Sequence, residues 1–330
     1  MPRAPVLAEV LEARRRLAGI ALLTPLEPAP GLAAEIGAAE VRLKREDVQP
    51  TGAFKTRGAH NKVGMLAEAR PEARLVTASS GNHGIAVATA ARRHGMRLTV
   101  LVGAGISGAK LERLRALETE RCTVELVGRD TDDAEAEARR RDDAGLAVYV
   151  PPYNDPDVIA GQATVGVEIL EEWPDVEVIV VPIGGGGLIA GIGLWAKAVN
   201  PRLRLVGVQP SASPPMYAYF ETGSTDPMPI APTLADGVAG NIERTSVTWK
   251  MCRALVDEVV LAEEREIAEA MRWALEVPHL LLEGSAVLGV AALRAGRLAD
   301  LEDRRVAVVI TGRNLDPDTL RRIVSRTEEA

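Results

Sequence analysis

Apolar and polar positions alternate between two periods along this chain. Short aliphatic runs occur at 41–47, 74–79, 98–103, 123–128, 147–152, 177–184, 203–209 and 305–312. They read as strands. Between them, stretches at 84–95, 106–118, 132–143 and 158–172 carry apolar residues at helical spacing. A strand–helix–strand succession builds parallel sheets covered by helices. So many strands exceed what one sheet needs, which predicts two α/β domains with crossings near Ser79 and near Pro151 and Pro152. The Pro-rich segments 210–216 and 224–237 read as loops. An uncharged run at 178–196 approaches the roughly 20 residues of a membrane span. Pro182 and the four glycines at 184–187 divide it into strand, turn and helix instead.

Composition narrows the function classes. A chain of 330 residues with 47% hydrophobic content makes one large or two ordinary domains. A net charge of −7 gives no footprint for nucleic acid and no cationic face for a membrane. The N-terminal segment is amphipathic and charged throughout, without the apolar core of a signal peptide. Cys122 and Cys252 make no disulfide framework, and His60, His83, His94 and His279 have no metal-ligand spacing. A reducing cytoplasm fits these features.

The candidate chemistry begins with one amine. Of the 39 cationic residues only six are lysines, and one of them, Lys55, stands in the middle of "TGAFKTRGAH". Arginine stays protonated in proteins, whereas a lysine amine can lose its proton and become a nucleophile. The bland alternative is a solvated lysine on a helix surface. "PIGGGGLIAG" at 182–191 follows a strand and opens a helix, a place where bare backbone amides surround a phosphate. Gly185, Gly187 and Ala190 also fit a dinucleotide fingerprint, but the next strand ends in Gln209 rather than in the acid that a ribose needs. That leaves a lone phosphate, or a glycine turn with no ligand. "TASSGNHGIAVA" places Ser79, Ser80, Asn82 and His83 around a second helix start, suited to a carboxylate or to ordinary N-capping. Thr311 ends the last strand, where its hydroxyl meets a ring nitrogen or caps a turn. An amine, a phosphate cradle, a carboxylate pocket and a hydroxyl together suit pyridoxal phosphate holding an amino acid.

The segments "KREDVQPTGAFKTRGA", "TASSGNHG", "PPYNDPDVIAGQATVGVEIL", "GGGGLIAG" and "LLEGSAVLGVAAL" follow one another as in the threonine/serine dehydratase family. The chain resembles that family from about residue 13 to residue 323. The resemblance implies the tryptophan-synthase-β-like α/β fold (fold type II), with 1–78 and 147–330 as a larger cofactor-binding domain and 79–146 as a smaller mobile one. It implies pyridoxal phosphate bonded to Lys55, with Phe54 on the ring and Asn82 at the phenolic oxygen. Gly184, Gly185, Gly186 and Gly187 would take the phosphate, Thr311 would face the pyridine nitrogen, and Glu283 would sit near the ring. Ser79, Ser80, Asn82 and His83 would line the substrate carboxylate, with Asp236 and Gly237 on the substrate side.

The implied reaction converts a β-hydroxy amino acid to a 2-keto acid and ammonia, with threonine and serine as default substrates. Hydroxyaspartate, phenylserine and hydroxyectoine-derived amino acids are the special cases. Racemisation is the alternative, because Ser80 stands where serine racemases carry a serine opposite the lysine. Lys55 must act as a base, and an ordinary lysine pKa of about 10.4 is too high for that; burial lowers it. A neutral hydroxyl at Thr311 does not hold the ring nitrogen protonated, which suits fast loss of a β leaving group. Arg313 departs from the family's S-G-G-N pattern and reads as a surface or interface residue, and Arg129 reads as a solvated loop cation. Gln209, Ser213 and Pro215 stand where relatives that bind a divalent cation carry its ligands, and two carboxylates are missing. No metal is expected. The chain ends soon after the catalytic core, so no appended regulatory domain is expected. A homodimer or higher homo-oligomer without nucleic-acid or membrane partners completes the expectation.

Overall fold

The computed structural model describes residues 3–325 and contains two sheets. The strands in chain order are β1 (Leu26–Pro28), β2 (Glu40–Arg45), β3 (Arg74–Ala78), β4 (Arg97–Val102), β5 (Cys122–Leu126), β6 (Val148–Tyr149), β7 (Val178–Pro182), β8 (Arg204–Pro210), β9 (Glu258–Ala262) and β10 (Arg305–Ile310). Six of them form a sheet in the order β1-β2-β10-β7-β8-β9, and four form a second sheet in the order β5-β4-β3-β6. All neighbours are parallel except β1, which runs antiparallel to β2. The helix-covered parallel architecture expected from the sequence is present.

β3 and β6 pair inside the four-stranded sheet. The segment 79–146 therefore lacks two strands of its own sheet, which lie just outside its limits on either side. The expected strand at 147–152 contracts to Val148–Tyr149, because Pro151 and Pro152 have no N–H for a ladder. β1 and β9 were not legible as strands. The segment 210–216, expected as a loop, closes β8 at its start and opens the helix Pro215–Thr222 at its end. Proline is well placed at the first helical position, and Gly223 at φ 74° ends the helix.

The six-stranded sheet is buried on both faces, as a parallel sheet requires. One face packs on the helices Glu264–Glu276 and Leu288–Arg294, the other on Pro156–Glu172 and Gly187–Val199. The helix Lys55–Ala69 lies across Pro156–Glu172 at a glycine contact, where a Cβ on Gly161 would stand 2.7 Å from the Cα of Gly58. A buried ion network fixes the same helix. Arg57 donates to both oxygens of Glu46 at 2.7 Å and to the two oxygens of Glu168 at 2.6 and 2.8 Å. Lys44 donates to Glu168 at 2.6 Å and to the Thr24 carbonyl at 2.7 Å. Removing one member of such a network leaves a buried charge unpaired, at a cost of roughly 3–5 kcal/mol. The network lies two residues from Lys55 and holds the helix start that carries it.

Candidate active site

Lys55 is the first residue of its helix, and its Nζ donates to the carbonyl of Pro152 at 2.7 Å. The side chain is half-buried by area, but its amine is enclosed by protein. Burial drives its pKa down to about 8, against the opposing pull of Glu283. Phe54 precedes it, with the ring centroid 5.1 Å from Nζ. The Phe54 N–H donates to the carbonyl of Thr311 at 3.0 Å, and Ala53 bridges to Gly312. The end of β10 is thereby stitched to the lysine. The Thr311 hydroxyl has no partner among the described residues.

The glycine turn lies between β7 and the helix Gly187–Val199, with Gly186 at φ 85° as its N-cap. A Cβ on Gly185 would meet the Tyr153 ring at 2.2 Å, and one on Gly187 would meet Tyr153 Cα at 3.1 Å. Gly184 and Gly186 are closed in by Val238 and Cys252 at 3.1 Å. The turn is a cradle with no room for a side chain at Gly185 and crowded space at the other three glycines, and its backbone amides lie at a helix start. Gln209 is fully buried, donating through Nε2 to the Ile183 carbonyl at 3.3 Å and accepting from the Tyr217 N–H at 2.9 Å. The Ser213 hydroxyl accepts from the Gly240 N–H at 3.0 Å, and Pro215 opens the following helix.

The second helix start contributes Ser79, Ser80, Asn82 and His83. The Ser79 hydroxyl accepts from the Gly81 N–H at 3.2 Å, whereas the Ser80 hydroxyl has no partner among the described residues. Asn82 donates to both oxygens of Glu283 at 2.8 and 3.1 Å and accepts from Asn314 at 2.7 Å. Burial raises the Glu283 carboxyl to about 7, despite the Asn82 hydrogen bond. The group is poised to gain or lose a proton near neutrality. His83 is buried, with Nε2 against the Val150 carbonyl at 2.9 Å and Nδ1 unpartnered. Burial, with Lys55 adding to it, pushes its pKa to about 3, so it is neutral rather than a basic catalyst.

Asp236 opens a short turn, Asp236–Val238, and pairs with Lys110 at 2.5 Å. The Cβ position of Gly237 lies 2.9 Å from the unpartnered hydroxyl of buried Ser285. Contacts join several of the expected residues: Phe54 to Thr311, Asn82 to Glu283, Lys55 to the Pro152 carbonyl, and the next residue, Tyr153, to Gly185; in folds of this kind ligands bind outside the carboxyl ends of the strands. Arg129, 89% exposed and 3.5 Å from Asp133, lies on the surface as read, and Arg313 is also exposed. The residues sequence reasoning missed are Tyr153, the Pro152 carbonyl, Lys110, Ser285 and the side chain of Asn314. Only "PPYND", directly after a strand, offered a signal for the first two.

An enclosed amine of lowered pKa, a cradle of amides for a phosphate, a free hydroxyl at a strand end and a protonatable carboxyl fit the aldehyde, phosphate and ring of pyridoxal phosphate. Fold and site together define the class of enzymes that use this cofactor. Comparison of the chain with known proteins agrees: it belongs to the pyridoxal-phosphate-dependent enzyme family, whose model matches residues 19–312. It is 39% identical to the L-threonine ammonia-lyase of Thermotoga maritima over 320 residues, which is 97% of this chain and 78% of that one. It is 36% identical to the catabolic L-threonine dehydratase of Escherichia coli K12, over 93% of this chain and 92% of that one. The structure of maize serine racemase superposes with a TM-score of 0.89 at 30% identity, covering 98% of each chain.

Proposed function

We propose that the protein is an ammonia-lyase that takes a β-hydroxy amino acid of the threonine or serine type to a 2-keto acid and ammonia. The observation that carries this is Lys55, an enclosed amine brought down to about 8 beside a strand followed directly by a hydroxyl side chain, Thr311, rather than a carboxylate. Bound pyridoxal phosphate supplies an electron sink for the pair left at Cα. The chain's own residues do the rest. The amides of the glycine turn at 184–187 would hold the phosphate, Phe54 would pack on the ring, and Asn82, which here donates to Glu283, would meet the phenolic oxygen. The first amides of the helix Asn82–His94 and the Ser80 hydroxyl, which has no partner among the described residues, would hold the substrate carboxylate, with Ser79 and His83 beside them. Asp236 and Gly237 border the substrate side. Lys55 Nζ removes the Cα proton, helped by a pKa near the working pH. Thr311 would face the cofactor's ring nitrogen with a neutral hydroxyl rather than a carboxylate, which favours elimination, the Cα proton and the β-hydroxyl leaving in sum as water. The released enamine tautomerises and is hydrolysed by water. The names of the Thermotoga and Escherichia relatives support this choice of substrate.

Racemisation is the second reading. Ser80 favours it, with a half-buried hydroxyl that has no partner among the described residues. A smaller, mobile unit at 79–146 against a larger one at 1–78 and 147–330 is supported by the separate four-stranded sheet, whose β3 and β6 border that segment. A cytoplasmic homo-oligomer is supported by two buried free cysteines and by exposed Leu7, Leu11, Leu22 and Leu23 around the first helix. No helix among the described residues is long and apolar enough to cross a membrane.

The test is chemical. Borohydride should fix the cofactor onto the peptide that contains Lys55, and Lys55→Ala should lose turnover. Normal turnover in that variant would remove the assignment.

A further inference from the structure

Glu243 stands outside the residues discussed so far, in the loop before the helix Val247–Leu255, and uses every polar atom it has. One carboxylate oxygen accepts from Arg139, and the other accepts from buried Asn154 at 2.9 Å. Its backbone carbonyl accepts from Trp249 Nε1 at 2.7 Å. Its backbone N–H donates to the Tyr153 hydroxyl at 3.1 Å. Asn154 in turn accepts from the Val247 N–H at 3.1 Å, which fixes the loop at a second point.

The two ends of this chain of contacts lie in different sheets' units. Arg139 is on the helix Thr131–Asp143, which packs on the four-stranded sheet. There it also donates to Glu135 at 3.0 Å and lies 5.1 Å from the centroid of the Tyr149 ring, while the Tyr149 hydroxyl donates to Glu135 at 2.8 Å. At the other end the Tyr153 ring covers Gly185 so closely that a Cβ there would stand 2.2 Å from it, and the Tyr153 backbone and Cβ crowd Gly187 at 3.1 Å. Arg139, 104 residues from Glu243 in sequence, therefore reaches the glycine turn through one ion pair, one peptide N–H and one aromatic ring.

We propose that Glu243 is a positioning residue that couples docking of the smaller unit to the grip of the glycine turn on the cofactor phosphate. The inference rests on the assignment of that turn to the phosphate. When Arg139 holds Glu243, the N–H of Glu243 is fixed and the Tyr153 ring stays seated on the turn. When the smaller unit moves away, the carboxylate loses its cation, the loop relaxes and the ring is released. Cofactor retention then reports the position of a helix that touches no part of the cofactor. The Arg139–Glu243 pair is partly exposed, so its own contribution to stability is small; its effect lies in what it orients.

The experiment uses the holoenzyme and three variants, Arg139→Met, Glu243→Gln and Tyr153→Phe. Cofactor loss is followed after dilution into a trap, and the ³¹P resonance of the bound phosphate is recorded for each. Tyr153→Phe deletes one oxygen, and with it only the tether to the Glu243 N–H, while the ring's volume is kept, so it keeps the test independent of folding. Each variant should lose cofactor about tenfold faster and shift the ³¹P resonance. The double variant Arg139→Met/Glu243→Gln should be no faster than either single change, because the two remove one interaction. Wild-type release and an unshifted resonance in Tyr153→Phe would overturn the coupling, as would multiplying effects in the double variant. A wild-type holoenzyme whose phosphate resonates as free cofactor does would overturn the phosphate assignment itself, and the coupling with it.

Discussion

His60 lies on the helix that begins with Lys55, only 3% exposed, with its Nδ1 unpartnered. Burial, then His94 and Arg93, depress its pKa to about 4. In the unfolded chain the same ring titrates at about 6.5. Between those values the unfolded state binds more protons, so stability is full above about pH 6.5 and falls as pH drops towards 4. The shift corresponds to at most about 3 kcal/mol. The urea midpoint should therefore fall between pH 7.5 and pH 5, and it should fall less in His60→Gln; equal losses in the two proteins would count against this. Gln209 leads to a second prediction at the same scale. Its amide N–H₂ occupies the Ile183 carbonyl and its oxygen takes the Tyr217 N–H, so the loop is tied by neutral groups. EDTA or added Mg²⁺ should leave turnover unchanged. In Gln209→Glu two oxygens would face each other, and the melting temperature should fall, with partial recovery on adding a divalent ion. A several-fold loss of wild-type activity that Mg²⁺ restores would contradict this.

At the scale of elements, the helix Gly108–Arg115 and the turn Asp236–Val238 meet through Lys110 and Asp236 at 2.5 Å, near enough to act on the charge of Glu283. The pair is partly exposed, and salt screens such pairs. Lys110→Met should raise KM by about two- to fivefold with little effect on kcat, and the wild-type KM should rise with NaCl while that of the variant stays flat. Parallel salt dependence in both proteins would remove the pair from the account. Elements also show what a single sequence reveals. β4, β7, β8 and β10 were legible as concentrated aliphatic runs bounded by turn residues. β9 (Glu258–Ala262) was not, because its short run follows a helix without a breaker between them. The helix Pro215–Thr222 was hidden by prolines that read as loop, one of which in fact starts it.

Across the whole molecule, the candidate site was legible wherever its proposed chemistry lay in contiguous motifs: Lys55, the turn at 184–187, the segment 79–83 and Thr311. It was not legible where partners meet across the fold. Lys55 meets the Pro152 carbonyl 97 residues away, Asn82 meets Glu283 201 residues away, and Lys110 meets Asp236 126 residues away. No local period or spacing encodes such pairs, since each joins elements far apart in sequence. The central claim is that this meeting place eliminates water from a β-hydroxy amino acid with Lys55 as the base. The most direct measurement is 2-keto acid and ammonia formed by wild type and Lys55→Ala from a panel that includes L-threonine, L-serine and 3-hydroxyaspartate. The account predicts equimolar keto acid and ammonia from L-threonine or L-serine, and loss of both products in Lys55→Ala. Inversion at Cα without keto acid from any member of the panel would contradict it.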